Sequence, residues 1–193
     1  MRLFVIVEGQ GEEAALPVLL RRVAADEGLE LTIAGRPWRE PRARILAADT
    51  LDRVLKVARG RADAGLVVFD ADDDCAVELA ARVHALAAQL SAGFPLAVAV
   101  AVREYEAWFL AAAESLRGLR GLPLDLARPE RPEAIRDAKG WLSDRMPQRY
   151  SPTLDQPAFT AALSVMEAEH HSRSFRKLLK EVRAMAQPAS LPR

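Results

Sequence analysis

The sequence predicts an α/β fold: a parallel sheet flanked by helices, with a helical C-terminal appendage. Three observations predict it. Uninterrupted apolar runs such as Leu3-Phe4-Val5-Ile6-Val7 and Gly65-Leu66-Val67-Val68-Phe69 read as strands buried on both faces. These runs alternate with stretches of helical apolar period, the pattern of a parallel sheet whose crossovers are helices. Beyond Gly121 the strand-like runs stop. A segment holding Pro123, Pro129 and Pro132 then leads into helical patterns only.

The first element is a strand over 3–7. Residues 11–27 repeat apolar side chains at Ala14, Leu16, Leu19, Leu20 and Val23, a helical period in which Pro17 is expected to distort the first turns. Residues 29–34 alternate as a strand does. Residues 35–44 hold two prolines and four arginines and read as a basic loop. A helix over about 48–60 places Leu51, Val54, Leu55 and Ala58 on one face. A strand at 65–69, a helix at about 75–91, a strand at 95–102 and a helix at 104–116 complete a core over 1–121. The appendage, 122–193, is expected to pack on that core with helices at about 133–146, 155–169 and 173–186. In the last, Phe175, Leu178, Leu179 and Val182 form the apolar stripe.

Composition narrows the function classes. The formal net charge is zero, which argues against a protein that coats nucleic acid by charge alone, yet the charge is uneven. Residues 70–78 carry five acids and no base, whereas 36–61 carry eight Lys or Arg against three acids. An acidic centre with basic flanks suits a metal site that also holds a polyanion; ordinary charge scatter is the plainer reading. Of 27 basic residues only Lys56, Lys139, Lys177 and Lys180 are lysine. That bias reads as codon usage, not as a nucleic-acid signal. A single cysteine, Cys75, excludes an internal disulfide and a Cys-based zinc site. His170 and His171 are adjacent and lack the four-residue spacing that puts two ligands on one helix face. The chain opens directly into a strand, and no apolar run approaches the roughly 20 residues that span a bilayer. A cytoplasmic protein without membrane association is expected.

Two acidic clusters follow two of the strands: Glu8-Gly9-Gln10-Gly11-Glu12-Glu13 and Asp70-Ala71-Asp72-Asp73-Asp74. Ligands of parallel sheets bind beyond the carboxyl ends of the strands, where both clusters fall. Crowded carboxylates repel, and a hard divalent cation with oxygen ligands relieves that. If the chain stays extended past Asp70, Asp70 and Asp72 project to the same side and can share an ion, Mg2+ or Mn2+. Asp73 is read as a helix N-terminal acid, favoured there by the helix dipole. Glu8 ends a buried strand, where propensity does not explain it. Glu12 fits either a ligand or a first-turn acid, and Glu13 only the latter. Arg103-Glu104-Tyr105-Glu106-Ala107-Trp108 follows the strand at 95–102, so Glu106 or Glu104 can complete the site. Gly9-Gln10-Gly11-Glu12-Glu13-Ala14 also matches the dinucleotide fingerprint, but Glu12 and Glu13, with Glu8 just before it, would surround a pyrophosphate with negative charge. No Walker A motif occurs.

With these residues in hand, the chain resembles the Toprim superfamily, whose signature is a Glu after the first strand and an Asp-x-Asp after a later one. More closely it resembles a bacterial Toprim-like family of unknown function, DUF4276, related to the Toprim domains of OLD-type nucleases. The match rests on Val7-Glu8-Gly9 with Glu12, on Asp70-Ala71-Asp72-Asp73, and on Glu104-Tyr105-Glu106-Ala107-Trp108. Lys139, Tyr150 and Ser172-Arg173-Ser174-Phe175-Arg176 extend it. The resemblance implies a Toprim-like (Rossmann-like) fold, a Glu acting as general acid or base, and an Asp pair binding magnesium. It also implies an AAA/ABC-like ATPase partner, as in phage-defence systems.

The sequence therefore leads to the expectation of a Mg2+- or Mn2+-dependent nuclease. Glu8 would move the proton, and Asp70, Asp72, Glu106 and Glu12 would supply the metal ligands. Crowding of such carboxylates raises their pKa values toward the range useful for proton transfer. Arg173, Arg176, Lys177 and Lys180 on the last helix would meet nucleic acid; an ordinary packed amphipathic helix is the simpler account of that segment. The alternative function is a non-catalytic Toprim-like subunit that docks on an ATPase.

Overall fold

The computed structural model describes residues 1–90 and 93–186. Five parallel strands form one sheet: β1 (Arg2–Val7), β2 (Thr32–Ile33), β3 (Trp38–Arg39), β4 (Ala64–Asp70) and β5 (Leu96–Ala101). The order is β2-β1-β4-β5, with β3 also pairing with β1. β2 lies beside the start of β1 (Arg2↔Thr32), and β3 beside its end (Ile6↔Trp38). The chain thus leaves β1 toward one edge and returns to its other side with β4. That reversal makes the carboxyl ends of β1 and β4 the topological switch point, where open parallel sheets bind ligands.

Alternation along the strands splits the core into two clusters. Leu3, Val5, Val7, Leu66, Val68, Ala97 and Ala99 belong to one, with α1 (Gln10–Glu27), α5 (Ala107–Ala111), α7 (Pro152–Ala162), α8 (Val165–His171) and α9 (Arg173–Ala186). Phe4, Ile6, Val67, Phe69, Val98 and Val100 belong to the other, under α3 (Ala48–Arg59) and α4 (Ala76–Leu90). The helical C-terminal part therefore shares a core with the sheet. α9 lies against β5 and α7 against α1. Phe175, Leu178, Leu179 and Val182 are buried as the stripe predicts.

Several local expectations change. The basic loop contains β3 and a one-turn helix, α2 (Arg42–Ile45). α1 runs through Pro17 unbroken and ends at Gly28, whose left-handed φ of 64° closes the helix. The helix expected over 104–116 is α5 followed by a 3-10 turn at Ala113–Leu116. That expected over 133–146 is a 3-10 turn at Pro132–Ala134 followed by α6 (Ala138–Ser143). That expected over 155–169 is two helices, α7 and α8, separated where the Ser164 hydroxyl caps α8 by accepting from the Glu167 N–H at 3.2 Å. Position 91 of the helix expected over about 75–91, and residues 187–193 of the appendage, lie outside the described residues. Among the described residues no helix is long and apolar enough to cross a membrane.

Candidate functional site

Parallel pairing sets the ends of β1, β4 and β5 side by side, with Val7 beside Val68 and Asp70 beside Ala101. The residue after β1 is Glu8. Its Oε2 accepts the Asp70 N–H and its Oε1 the Arg42 N–H, both at 3.4 Å. Asp70 Oδ1 accepts the Tyr105 N–H at 2.8 Å, which ties β4 to the turn after β5. Glu106 leaves that same turn, is fully buried, and accepts the Tyr150 hydroxyl at 3.0 Å. Glu12, in the first turn of α1, folds back to accept the Gly9 N–H. Glu8, Glu12, Asp70 and Glu106 line one cavity of about 380 Å³ together with Lys139 and Gln156.

Lys139 is the cation of this cavity. It stands on α6, with Nζ 3.0 Å from Glu104, 3.1 Å from Glu106 and 3.9 Å from Asp70. Burial works against its charge, but Glu106, Asp70 and Glu104 outweigh burial and hold it above the ordinary lysine range. One lysine does not neutralise the cluster. Burial, with the neighbouring charges of Glu106 and Glu8, pushes Glu12 up to about 7. Burial, then Glu12 and Glu106, pushes Asp70 well above the carboxylate range. Burial also raises Glu106. Its Oε2 lies within ion-pair distance of Lys139 but accepts no hydrogen bond among the described residues.

The donor set is of the type that a hard divalent cation takes, although among the described residues no group of three or more His, Cys, Asp or Glu is arranged to hold a metal ion. It offers only oxygen, from four carboxylates, and one buried carboxylate oxygen is left without a hydrogen-bond donor. The raised pKa values come first from burial and then from the neighbouring carboxylates, and a cation beside them would favour the ionised forms.

Asp72 departs from the expected geometry. The backbone does not stay extended past Asp70: Asp72 has a φ of 50°, is solvent-exposed, and ion-pairs with Arg42 at 3.1 Å. Arg42 organises this turn. Its Nη1 donates to the Ala71 carbonyl at 2.8 Å and the Asp70 carbonyl at 3.3 Å, and Nη2 lies 3.4 Å from Asp74. Asp73 makes no helix cap; Arg136 and Arg103 pair with it and lower its pKa. Asp72, Asp73 and Asp74 line a second cleft, of about 540 Å³, with Arg103, His171 and Arg173.

The four basic residues of α9 are not a uniform free face. Arg176 donates to the carbonyls of Glu169 and His170, and Lys177 pairs with Glu181. Arg173 and Lys180 make no ion pair among the described residues. Arg183, on the same helix, bridges Glu27 and Glu169.

Acid spacing gave no role to Arg42 or Gln156, and Lys139 and Tyr150 entered only through the family resemblance, without a role. The rarity of lysine in an arginine-rich chain was the one compositional signal for Lys139. The glycines of the dinucleotide-like motif are explained by packing. A Cβ on Gly9 would lie 2.9 Å from the Glu12 carboxylate, and one on Gly11 would lie 1.8 Å from Gln156 Oε1.

A family model described as a domain of unknown function (DUF4276) matches residues 7–183. No curated protein and no solved structure matches the chain.

Proposed function

We propose that this chain, which belongs to the DUF4276 family, is a Mg2+- or Mn2+-dependent phosphodiester-cleaving enzyme of Toprim type. One observation carries the reading: carboxylates following three adjacent parallel strands, Glu8, Asp70 and Glu106, gather with Glu12 around one lysine at the switch point of the sheet. The order, a Glu after β1 and an Asp-x-Asp after the strand beside it, is that of the Toprim signature. An AAA/ABC-like ATPase partner, as in phage-defence systems, rests on the resemblance alone.

Asp70, Glu12 and Glu106 would hold the ion, with Asp72 on the adjoining turn. The bound cation supplies charge stabilisation to the attacking and leaving oxygens of the diester. Glu8 lines the cavity, oriented by the backbone N–H groups of Asp70 and Arg42, and would take the proton of the attacking water. Lys139 opposes the burial that raises the pKa values of Asp70, Glu106 and Glu12. Arg173 and Lys180 are the α9 cations free to meet a nucleic-acid backbone.

One observation favours the alternative, a non-catalytic subunit of an ATPase complex: Lys139 already gives the cluster a cation of its own. Two measurements decide between the readings. Manganese calorimetry on wild type and Asp70→Asn should show binding that the variant loses. Magnesium-dependent nicking of plasmid DNA and single-stranded RNA should fall by about 10²–10⁴-fold in Glu8→Gln. Equal cleavage by Glu8→Gln removes its assigned role. Absence of metal binding and cleavage in wild type, with and without the ATPase, gives the alternative the lead.

A further inference from the structure

The ammonium of Lys139 sits where carboxylates of the cavity converge. It lies 3.1 Å from Glu106 Oε2 and 3.9 Å from Asp70 Oδ2, on two of the residues that line the cavity. Glu106 is fully buried, and this Oε2 has no hydrogen-bond donor among the described residues. A buried carboxylate oxygen in that condition is costly unless a cation faces it. Lys139 is that cation. Among the described residues the carboxylates are thus disposed about an ammonium and not in the arrangement that holds a metal ion.

The lysine is built so that it can leave. Its side chain is 36% exposed, against 1% for Glu106 and 14% for Asp70, so one side of the stem faces solvent. Its third partner, Glu104, stands outside the cavity lining. Glu104 accepts the Lys139 backbone N–H at 3.1 Å and the ammonium at 3.0 Å. A rotation of the stem can therefore carry the ammonium away from Glu106 and Asp70 while the backbone stays tied to Glu104. The ammonium is a point charge on a flexible four-carbon stem, with no fixed plane of donors to break. We infer that Lys139 is a placeholder cation: its ammonium holds Asp70 and Glu106 in the metal-free chain, and a divalent ion entering the cavity displaces it toward Glu104. The inference rests on the function proposed above, since it needs an ion that binds these carboxylates. It goes beyond that function by giving the lysine two positions and by making ion binding an exchange of cations. An ion on the same oxygens and an ammonium left in place would be like charges a few ångströms apart, which repel strongly in a site shielded from water.

The test uses the full chain, with Mn2+ as the probe. Calorimetry compares wild type with Lys139→Met, which keeps an unbranched stem and removes the charge. The variant should bind Mn2+ about tenfold or more tightly, because no resident cation has to leave. A second readout needs no variant. Wild type is treated with acetic anhydride with and without saturating Mn2+, and the extent of acetylation at each lysine is read by mass spectrometry. Lys56 and Lys177, paired with Asp52 and Glu181 away from the cavity, serve with Lys180 as internal controls. Mn2+ should raise acetylation at Lys139 severalfold and leave the controls unchanged.

Mn2+ binding by wild type that is equal or weaker in Lys139→Met overturns the inference and leaves the proposed function standing. Acetylation of Lys139 that saturating Mn2+ does not raise overturns it as well, since the lysine then keeps its place beside a bound ion. Binding by the variant alone supports the placeholder role and overturns the displacement. If neither protein binds Mn2+, the proposed function fails and the inference fails with it. If Lys139→Met does not fold, the acetylation of wild type decides.

Discussion

Glu12→Gln is the perturbation whose outcome follows most directly from the electrostatics of the cavity. Burial and the charges of Glu106 and Glu8 raise this carboxyl from its usual 4.5 to about 7. Because the folded value lies above the unfolded one, the folded state keeps the Glu12 proton at pH values where the unfolded chain has lost it. The stability tied to the protonated group is therefore fully present below about pH 4.5 and lost as pH rises to about 7. The difference of about 2.5 units corresponds to about 3 kcal/mol at about 1.36 kcal/mol per unit. Gln keeps the acceptor for the Gly9 N–H and never ionises, so it escapes the loss. Urea unfolding of both proteins, without divalent ions, should give similar stabilities near the acid end. The variant should gain a lead of about 3 kcal/mol by about pH 8. Millimolar Mn2+ should shrink the lead, because a ligand that binds only the folded state stabilises wild type by mass action. A difference between the two proteins that does not vary with pH would refute the reasoning.

Lys139→Met removes the cation that Glu104, Glu106 and Asp70 share. It should destabilise the fold by about 1–3 kcal/mol near neutral pH, the cost of a buried polar group left without its partner, with the loss shrinking in acid as the carboxylates protonate. Ser174→Ala leaves the buried Trp108 indole N–H, which donates to Ser174 Oγ at 2.8 Å, without an acceptor, and should cost about 1–3 kcal/mol in urea unfolding. Gly11→Ala places a Cβ 1.8 Å from Gln156 Oε1 and 2.8 Å from the Pro152 carbonyl, and should cost about 1–3 kcal/mol of overpacking. Gln156→Ala should recover part of that loss and not all, since the Pro152 backbone cannot be trimmed; full additivity in the double-mutant cycle would show that the side chains do not meet.

What the sequence made legible follows the physics of each element. Strands β1, β4 and β5 are buried on both faces, so their apolar runs mark them without ambiguity. β3 is two residues long and exists through its backbone pairing with the end of β1, which no side-chain pattern records. The break between α7 and α8 did carry a signal: Ser164-Val165-Met166-Glu167 has the spacing of a capping box, and Ser164 does cap. Glu8, Asp70, Glu12 and Glu106 were legible because parallel topology alone sends strand ends to one place. Asp72 was not, because alternation along a strand cannot anticipate a residue with positive φ held by Arg42 from another part of the chain.

The cavity also shows why its electrostatics were harder to read than its acids. Everything that gathers the carboxylates comes from the sheet, through β1, β4 and β5. Backbone N–H groups of the core hold Glu8, Glu12 and Asp70, but the cation and the remaining supports come from beyond Gly121: Lys139 on α6, the Tyr150 hydroxyl on Glu106, and the start of α7 as a wall. The change in sequence character at Gly121 marks where strands end, but the core does not divide there. Phe109 packs on Phe159 and Trp108 on Phe175, each pair bringing an aromatic from α5 against one from the C-terminal helices. Aromatic pairs add to burial through their ring geometry, so these contacts fix α7 and α9 against the sheet side of the molecule. The turn carrying Glu104 and Glu106 leads directly into α5. Glu104 in that turn accepts both the Lys139 backbone N–H at 3.1 Å and its ammonium at 3.0 Å, and this direct tie holds the lysine beside the carboxylates that it balances.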